Sequence, residues 1–273
     1  MSSLREECGI TGVIGIKEAS RLIHLGLYAL QHRGQESCGI ISLENSSYYE
    51  HRAHGLVADA FSKTTLENLH GDTGVGHVRY ATHGKLHSRN IQPFVLESQF
   101  VGPTAIAHNG NLTNAQLIKT ELEKTGSVFT TTSDSEVFTH LIARSQQPTL
   151  IQRLQTSLPQ TLGAYSLVIA NPSGLYGVRD PFGFRPLVIG QLNDGWILAS
   201  ETCALDLIGA SVYREVEPGE MVIIDQDGVQ SLCPFPRRPR RAALAQRSRA
   251  RPLLETAFCR RGETRRHGSG DFQ

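Results

Sequence analysis

The sequence predicts an α+β domain in which largely antiparallel sheets are packed against helices. Three observations predict it: short apolar runs recur along residues 1–233, turn residues join several of these runs, and helix caps precede apolar stripes of helical period. Between the strands, three or four helices are expected. The predicted strands are 12–16, 39–43, 75–81, 105–108, 165–170, 175–179, 186–190, 196–200 and 220–225.

Tight turns define how these strands are paired. Asn, Asp and Gly residues occur together at 171–174, 193–195 and 227–228. These residue types adopt the backbone conformations that hairpin turns require. Strands joined by such turns run antiparallel, so the sheets are predicted to be largely antiparallel.

Helices are predicted from caps and apolar stripes. Near the start of the chain, Leu22, Leu25, Ala29 and Leu30 form a stripe that ends at Gly34, which is predicted to be a left-handed cap. Three capping boxes precede further helices, the second of which buries Phe138, Leu141 and Ile142: Thr113 with Gln116, Ser133 with Glu136, and Thr149 with Gln152.

Composition excludes several classes of protein. The chain has 273 residues, 39% of them hydrophobic, which allows one domain with a sizeable core and excludes disorder throughout. No apolar run reaches the ~18 residues of a membrane span, and the polar start lacks a secretory signal, so a cytoplasmic location is expected. The five cysteines have neither disulfide nor zinc-site spacing, so we expect no metal site.

The last forty residues differ in composition from the rest. Residues 234–273 contain eleven Arg, no Lys and three acids, a net charge of +8, which leaves −7 for residues 1–233. They have no strand or helix period, so a disordered tail is predicted. Arginine runs without interleaved aromatic residues have no means of recognising nucleic-acid bases, so we expect no nucleic-acid binding. The switch to arginine alone indicates a replaced C-terminus, from alternative splicing or a shifted gene model.

Polar side chains cluster at predicted strand ends and helix starts, where functional sites are usually built. Cys8 lies before the first strand, and Arg79 lies near the end of another. Asn109 and Gly110 follow a third strand, and Asp134 precedes a helix. Together they offer a thiol, a guanidinium, an amide and a carboxylate.

These groups match an amino-acid ligand with a side-chain amide. Arg79 could hold an α-carboxylate through a fork of hydrogen bonds, and Asp134 could hold an α-ammonium group. Asn109 and the Gly110 N–H could donate to the oxyanion that forms when a Cys8 thiolate attacks the amide carbon. Simpler interpretations stay open: a small buried cysteine, a surface ion pair, a turn at residues 109–110 and an acid in a first helical turn.

Six motifs occur in order along the chain: Cys8-Gly9-Ile10, His32-Arg33-Gly34-Gln35-Glu36, His77-Val78-Arg79-Tyr80-Ala81-Thr82, His108-Asn109-Gly110-Asn111, Ser133-Asp134-Ser135-Glu136 and Arg179-Asp180-Pro181-Phe182-Gly183. From about residue 6 to about residue 227, the chain resembles the glutaminase half of the amidophosphoribosyltransferases, which are class II (N-terminal-nucleophile) glutamine amidotransferases. Further motifs resemble this branch more than the fructose-6-phosphate aminating or asparagine-forming relatives. They are the seven residues before Cys8, Arg79-Tyr80 in place of Arg-Trp, Asn90-Ile91-Gln92-Pro93-Phe94, Arg185-Pro186-Leu187 and Ser200-Glu201-Thr202-Cys203-Ala204.

The resemblance implies a four-layer αββα sandwich of the N-terminal-nucleophile hydrolase type, with two antiparallel sheets between helical layers. It also implies a propeptide at residues 1–7, removed from a glutaminase domain at residues 8–233. The freed α-amino group of Cys8, with an unperturbed pKa of about 7.7 to 8.0, would act as general base for its own thiol. Glutamine would be cleaved to ammonia and a glutamyl thioester, and water would then release glutamate.

The resemblance also assigns roles to individual residues. Cys8 would be the nucleophile, and Asn109 with Gly110 would form the oxyanion hole. Arg79 and Asp134 would hold the backbone groups of glutamine.

Three more residues receive less specific roles from the resemblance. Gly34 and Thr82 would line the pocket. Arg33 would either shield the nucleophile or form a buried structural ion pair.

The chain departs from the family after Cys233. Relatives continue through a phosphoribosyltransferase domain, in which ammonia displaces pyrophosphate from phosphoribosylpyrophosphate to give phosphoribosylamine at the opening of purine synthesis. Nothing in residues 234–273 resembles that domain. The full-length family uses magnesium with phosphoribosylpyrophosphate and often holds a four-iron four-sulfur cluster. Cys259 alone cannot hold such a cluster, so we expect no cofactor in this chain.

Three hypotheses follow. The favoured one is a form of amidophosphoribosyltransferase without its second domain, which binds glutamine and at most hydrolyses it. The second is the glutaminase half of another class II amidotransferase. The third is a non-catalytic form that folds poorly or pairs with full-length subunits or with itself, because coupled glutaminases usually depend on closure over the acceptor site.

Overall fold

A computed structural model describes residues 8–80 and 87–236 of the chain. The predicted propeptide, Thr82 and residues 237–273 of the predicted tail lie outside the described residues, and those predictions stay predictions. The strands are β1 (Gly9–Ile14), β2 (Ser37–Glu44), β3 (Ser47–His54), β4 (Thr73–Arg79), β5 (Phe94–Leu96), β6 (Thr104–Leu112), β7 (Gly163–Asn171), β8 (Gly174–Arg179), β9 (Val188–Leu192), β10 (Gly195–Ala199), β11 (Ser211–Glu215), β12 (Met221–Asp225) and β13 (Gly228–Leu232). The helices are α1 (Ala19–Ala29), α2 (Val57–Ala60), α3 (Lys63–Glu67), α4 (Ala115–Lys124), α5 (Glu136–Arg144), α6 (Leu150–Ser157) and α7 (Thr202–Ile208).

The strands form two sheets, and every strand pair in the described part of the chain is antiparallel, as predicted. The first sheet has the order β11-β9-β10-β1-β4-β2-β3, and the second has the order β13-β12-β8-β7-β6-β5. None of the helices in these ranges has the length and apolar content to cross a membrane.

Alternation of side chains along each strand gives both sheets two apolar faces. On β1, Ile10 packs between the sheets, whereas Val13 packs in the outer cluster with α1 and α7. On β6, Ala107 lies between the sheets, whereas Ile106 packs in the other outer cluster with α5 and α6. The result is a four-layer helix–sheet–sheet–helix sandwich, which confirms the α+β class predicted from the residue pattern and the layering implied by the resemblance.

The four strands that the sequence pattern missed are the four edges of the two sheets. β3 and β11 flank the first sheet, and β5 and β13 flank the second. Along β11 and β13 every residue is at least partly exposed. An edge strand has a neighbour on one side only, so it carries fewer buried apolar residues and lacks the run by which the interior strands are recognised.

The predicted turns connect β7 to β8, β9 to β10 and β12 to β13, which confirms them. Asn193 has a φ of 52° and Gly228 a φ of 100°, so both occupy the left-handed region that tight hairpins use.

The buried face of α1 is rotated from the predicted stripe, of which Leu30 is fully buried and Leu22 and Ala29 are partly buried against the core. Ile23 and Leu27 are fully buried, whereas Leu25, a member of the predicted stripe, is 37% exposed. A glycine on the facing sheet decides the orientation: a Cβ at Gly76 of β4 would lie 2.4 Å from Ile23 Cγ2. The helix therefore packs closest where the sheet has no side chain.

Of the three predicted capping boxes, only the one at Thr149 forms a cap. Thr149 Oγ1 accepts a hydrogen bond from Gln152 N at the start of α6. The caps predicted at Thr113 and Ser133 are wrong. Asn114 is the residue before α4, and Ser135 is the residue before α5. The Thr113 hydroxyl instead donates to Leu162 O, a tertiary contact that competes with capping.

We predict that Thr149→Ala destabilises the chain by about 1 kcal/mol, because the first turn of α6 loses its cap. Thr113→Ala, the matched control, loses one exposed hydrogen bond and should cost less than about 0.5 kcal/mol. Urea unfolding of the full chain measures both. Equal losses in the two variants would contradict the assignment of the cap.

Candidate active site

Cys8 lies immediately before β1 and is held through its backbone by Arg33. The Cys8 N–H donates to Arg33 O at 2.9 Å, and Arg33 Nε donates to Cys8 O at 2.7 Å. The φ of Cys8 is 67°, a left-handed value that is uncommon outside glycine. The two hydrogen bonds hold the residue in this conformation.

Arg33 is a buried cation with an acidic partner. Its side chain is 1% exposed, and Nη1 donates to Glu201 Oε1. Burial alone would raise the pKa of Glu201, but the charge of Arg33 and its hydrogen bond lower it. Of the two interpretations left open for Arg33, the buried ion pair is present, and the same side chain also contacts Cys8.

Gly34 and Arg79 lie beside the start of β1, because Gly9 pairs with Val78 of β4. The backbone of Gly34 is extended, with a φ of −162°, so the predicted left-handed cap is wrong. A Cβ there would lie 2.7 Å from the Arg79 backbone, so glycine is needed for close approach. Arg79 Nε is 3.8 Å from Glu36 Oε2, and a quarter of the arginine side chain is exposed.

Asn109 and Gly110 lie inside β6, so the alternative interpretation of a turn is wrong. Asn109 is on the same face of β6 as Ala107 and is fully buried between the sheets. Within the described part of the chain, neither its Oδ1 nor its Nδ2 has a hydrogen-bond partner. Leaving such a group unpaired costs ~1–3 kcal/mol, so the amide is a strong candidate for ligand contact.

Gly110 has a φ of 149°, and a Cβ there would lie 2.1 Å from Ala164 O on β7. Any side chain at this position would push β6 and β7 apart. Glycine at this position therefore allows β6 to stay paired with β7, with the Gly110 backbone next to the Asn109 amide.

The backbone just before Asn109 is fixed by contacts from two sides. His77 of the first sheet donates from Nε2 to His108 O at 3.1 Å. Burial lowers the pKa of His77 to about 3, so the ring is neutral near pH 7 and carries its proton on Nε2, since a carbonyl only accepts. Gln92 Oε1 accepts from His108 N at 2.8 Å, and Gln92 Nε2 donates to His108 O at 3.3 Å.

Asp134 lies in the segment 130–135, just ahead of α5. Its Oδ2 accepts a hydrogen bond from Leu112 N at 2.7 Å, which ties this segment to the end of β6. Asn90 holds the same segment through Thr132: Asn90 Nδ2 donates to Thr132 Oγ1 at 2.8 Å, and Asn90 Oδ1 accepts from Thr132 N at 3.1 Å. Asp134 is therefore anchored to the strand that carries Asn109.

Ser135 links these contacts into one network. Its Oγ accepts hydrogen bonds from Gln92 Nε2 at 3.0 Å and Ser133 Oγ at 3.1 Å. Its own proton is then directed mainly at His108 Nδ1, 2.7 Å away, with Asp134 Oδ1 as a more distant acceptor at 3.4 Å. Burial lowers the pKa of His108, so its ring accepts this proton as a neutral imidazole.

The structure gathers the sequence-predicted residues into two groups, joined by the His77–His108 contact. Cys8, Arg33, Gly34 and Arg79 surround the start of β1. Asn109 and Gly110 lie in the last half of β6, and Asp134 is bonded to Leu112 at its end. Sequence reasoning gave no role to His77, Gln92 and Ser135. The available signal was a polar side chain in or beside an apolar strand, which is hard to bury without partners.

The motif at residues 179–183 has a structural role in this arrangement. Asp180 is fully buried, and its carboxylate fixes the turn after β8 by accepting hydrogen bonds from the N–H groups of Tyr165, Phe182, Gly183 and Phe184. This motif supports β7 and β8 and adds no reactive group.

Among the described residues, one group of three or more His, Cys and acidic side chains is close enough to hold a metal ion. It consists of His32, Glu201 and Cys203. A four-iron cluster needs cysteine thiolates at its four irons, and this group supplies one. The described residues therefore do not fit such a cluster, and Cys259 lies outside them.

Comparison with known proteins agrees with the fold and the motifs. A family model described as "Glutamine amidotransferase domain" matches residues 77–207. The chloroplastic amidophosphoribosyltransferase of Glycine max is 48% identical over 231 residues, which cover 84% of this chain and 40% of that protein. The amidophosphoribosyltransferase of Bacillus subtilis is 45% identical over 231 residues, which cover 85% of this chain and 48% of that protein.

A solved structure gives the same result. Glutamine phosphoribosylpyrophosphate amidotransferase from B. subtilis, complexed with ADP and GMP, matches with a TM-score of 0.79 and 44% identity, covering 83% of this chain and 49% of that one. The fold and site therefore define a class II glutamine amidotransferase domain with the N-terminal-nucleophile hydrolase fold. Over 84–85% of its own length the chain is similar to amidophosphoribosyltransferases at 45–48% identity, and it spans about half the length of the curated relatives it matches.

The carboxylate of Glu136 stabilises the segment that carries Asp134, and its effect should depend on pH. It accepts hydrogen bonds from the N–H and O–H groups of Thr130 and Thr131. Burial alone would raise the pKa of Glu136, but these hydrogen bonds outweigh it and lower the pKa. The stabilisation is therefore complete above the unfolded-state pKa of about 4.3 and is lost as pH falls through the lower folded-state pKa.

We predict that Glu136→Gln lowers the free energy of unfolding by roughly 1–3 kcal/mol at pH 7. The difference from wild type should shrink as pH falls toward 3.5. Glu121→Gln, at an exposed position on α4, is the control and should change little. Denaturant unfolding across this pH range measures the effect, and a difference independent of pH would contradict it.

Proposed function

We propose that this domain hydrolyses glutamine through a thioester on Cys8, after removal of residues 1–7. The observation that carries the proposal is the buried, unpartnered amide of Asn109, which lies between the sheets at the end where β1 begins. An amide donor held without a protein partner is suited to an oxyanion that exists only during reaction.

The proposed reaction uses the α-amino group of Cys8 as the base. This group takes the thiol proton, and the thiolate sulfur bonds to the amide carbon of glutamine. The resulting oxyanion accepts hydrogen bonds from Asn109 Nδ2 and the Gly110 N–H. The α-ammonium then returns a proton to the leaving nitrogen, so that ammonia departs and a thioester remains, which water hydrolyses to glutamate.

Arg33 would hold the base in place. The Cys8 nitrogen already donates to Arg33 O at 2.9 Å, and a freed amine can keep that hydrogen bond. Its lone pair then remains available for the thiol or for an intervening water. Arg33 is a positioning residue in this scheme.

Arg79 and Asp134 would hold the backbone groups of the substrate. The guanidinium of Arg79 is partly exposed, and its ion pair with Glu36 is long, so a carboxylate can approach it. Asp134 Oδ2 accepts from Leu112 N, and Oδ1 accepts only a long hydrogen bond of 3.4 Å from Ser135 Oγ, so Oδ1 can also accept from an α-ammonium group. Thr82 would complete the pocket.

We further propose that the ammonia serves the formation of phosphoribosylamine from phosphoribosylpyrophosphate, in a longer protein or with a partner subunit that carries the phosphoribosyltransferase part. The identity of 45–48% to amidophosphoribosyltransferases supports this branch over other class II amidotransferases. Magnesium would be needed only by that second part. The cytoplasm is the proposed location.

Intact mass before and after treatment with an electrophilic glutamine analogue tests the proposed nucleophile. We expect a starting mass without residues 1–7 and a single adduct that is absent in Cys8→Ala. Cys38→Ala, at a buried thiol whose pKa burial raises to about 12, is the matched control and should keep the adduct. An unprocessed chain without an adduct would favour the non-catalytic form.

We predict that Asn109→Ala lowers kcat for glutamine hydrolysis by about 10²–10³-fold, because one oxyanion donor is lost. Asn111→Ala, two residues along β6 at an exposed position, should leave kcat nearly unchanged. Steady-state release of glutamate measures both variants. An increase in KM with kcat unchanged for Asn109→Ala would contradict an oxyanion role.

A further inference from the structure

Three metal-ligand side chains meet beside Arg33. His32 Nε2 lies 3.0 Å from Glu201 Oε2, and Cys203 Sγ lies 3.5 Å from the same oxygen. All three atoms are within 4.8 Å of one another. His32 comes from the 3-10 helix after α1, whereas Glu201 and Cys203 come from the start of α7, so the fold brings two separate segments together here.

These separations fit a tetrahedral ion. Zinc binds imidazole nitrogen and carboxylate oxygen at ~2.0–2.2 Å and thiolate sulfur at ~2.3 Å, so neighbouring ligands on one zinc ion lie ~3.3–3.7 Å apart. The nitrogen–oxygen and oxygen–sulfur separations in the chain differ from that range by a few tenths of an ångström at most. The third separation, from His32 Nε2 to Cys203 Sγ, is within 4.8 Å, so these two side chains, both at least partly exposed, would move together as the ion binds.

The orientation of His32 leaves room for either a proton or a metal ion at Nε2. His32 Nδ1 lies 3.0 Å from Ala29 O, and a carbonyl only accepts, so Nδ1 carries a proton. In the neutral ring, the Nε2 lone pair then faces the Glu201 carboxylate. Two acceptors this close need a proton or a metal ion between them. A ring nitrogen that donates to a backbone carbonyl is also the usual support of a metal-bound histidine.

The surroundings of the cluster suit an exchangeable ion. Glu201 keeps its other oxygen on Arg33, and a ligating carboxylate is commonly supported by such a second hydrogen bond. His32 is 56% exposed, so solvent reaches the cluster and water can supply the fourth ligand. The thiolate is the form of cysteine that binds metal ions, so metal binding would displace the Cys203 thiol proton.

We propose that His32, Glu201 and Cys203 form a binding site for zinc or a similar thiophilic divalent cation. Scattered cysteines gave no sequence signal for it, because the ligands lie 169 positions apart and meet only in the fold. None of its three ligand residues was assigned to the glutamine site. It touches that site through Arg33, which shares Glu201 with the cluster and donates to Cys8 O.

Cobalt substitution tests the proposal on the full chain under reducing conditions. Titration with Co²⁺ should saturate at one equivalent and give a thiolate-to-cobalt absorption band, together with the intense visible bands of tetrahedral Co²⁺. Addition of Zn²⁺ should abolish both. Cys203→Ala should lose the thiolate band and bind Zn²⁺ at least about tenfold more weakly, since even supporting residues are worth 10–100-fold. Cys233→Ala and Cys8→Ala, which remove other thiols, should keep both properties.

A second variant guards against a folding defect in Cys203→Ala. His32→Ala changes an exposed side chain, so it should fold normally while losing the tetrahedral bands and weakening Zn²⁺ binding. An unchanged spectrum in His32→Ala, or loss of the thiolate band in Cys8→Ala or Cys233→Ala instead of Cys203→Ala, would overturn the proposal.

Discussion

The hydrogen bond from His77 to the His108 carbonyl is the contact on which the arrangement of the candidate site depends. It is a polar contact between two sheets whose facing surfaces are mostly apolar, with Ile10, Val75 and Val168 among the side chains between them. β4 aligns the start of β1, and β6 carries the amide of Asn109. A shift of one sheet against the other would therefore separate Cys8 from the groups on β6, and this buried hydrogen bond resists such a shift.

The sequence predicted the interior of the fold better than its margins, for a physical reason. The nine interior strands bury residues on both faces, so they appear as apolar runs, and their turns carry the Asn, Asp and Gly residues that hairpins require. Edge strands such as β3 form because they pair with a neighbouring strand and not because they bury an apolar run. The missed caps and the rotated face of α1 have the same origin, because a tertiary contact outweighed a local preference at Thr113 and at Gly76.

At the candidate site, the sequence identified the groups but not what holds them. Cys8, Asn109 and Asp134 are recognisable because each is polar at a strand or helix end. Gln92 is not recognisable in this way, because its partners are backbone atoms of His108, 16 positions away. Gly34 was assigned to the correct region for the wrong reason: the sequence shows a glycine, and only the packing shows that the Arg79 backbone requires one.

The left-handed φ of Cys8 has a consequence for peptide-bond cleavage. That dihedral angle exists only while a carbonyl carbon precedes the Cys8 nitrogen. A non-glycine residue in this region stores ~1–3 kcal/mol of conformational strain. If residues 1–7 are removed as proposed, the torsion disappears with the bond that defined it, and the strain is released. The hydrogen bonds to Arg33 would then hold an unstrained terminus, so release of this strain would favour the cleaved chain by the same ~1–3 kcal/mol.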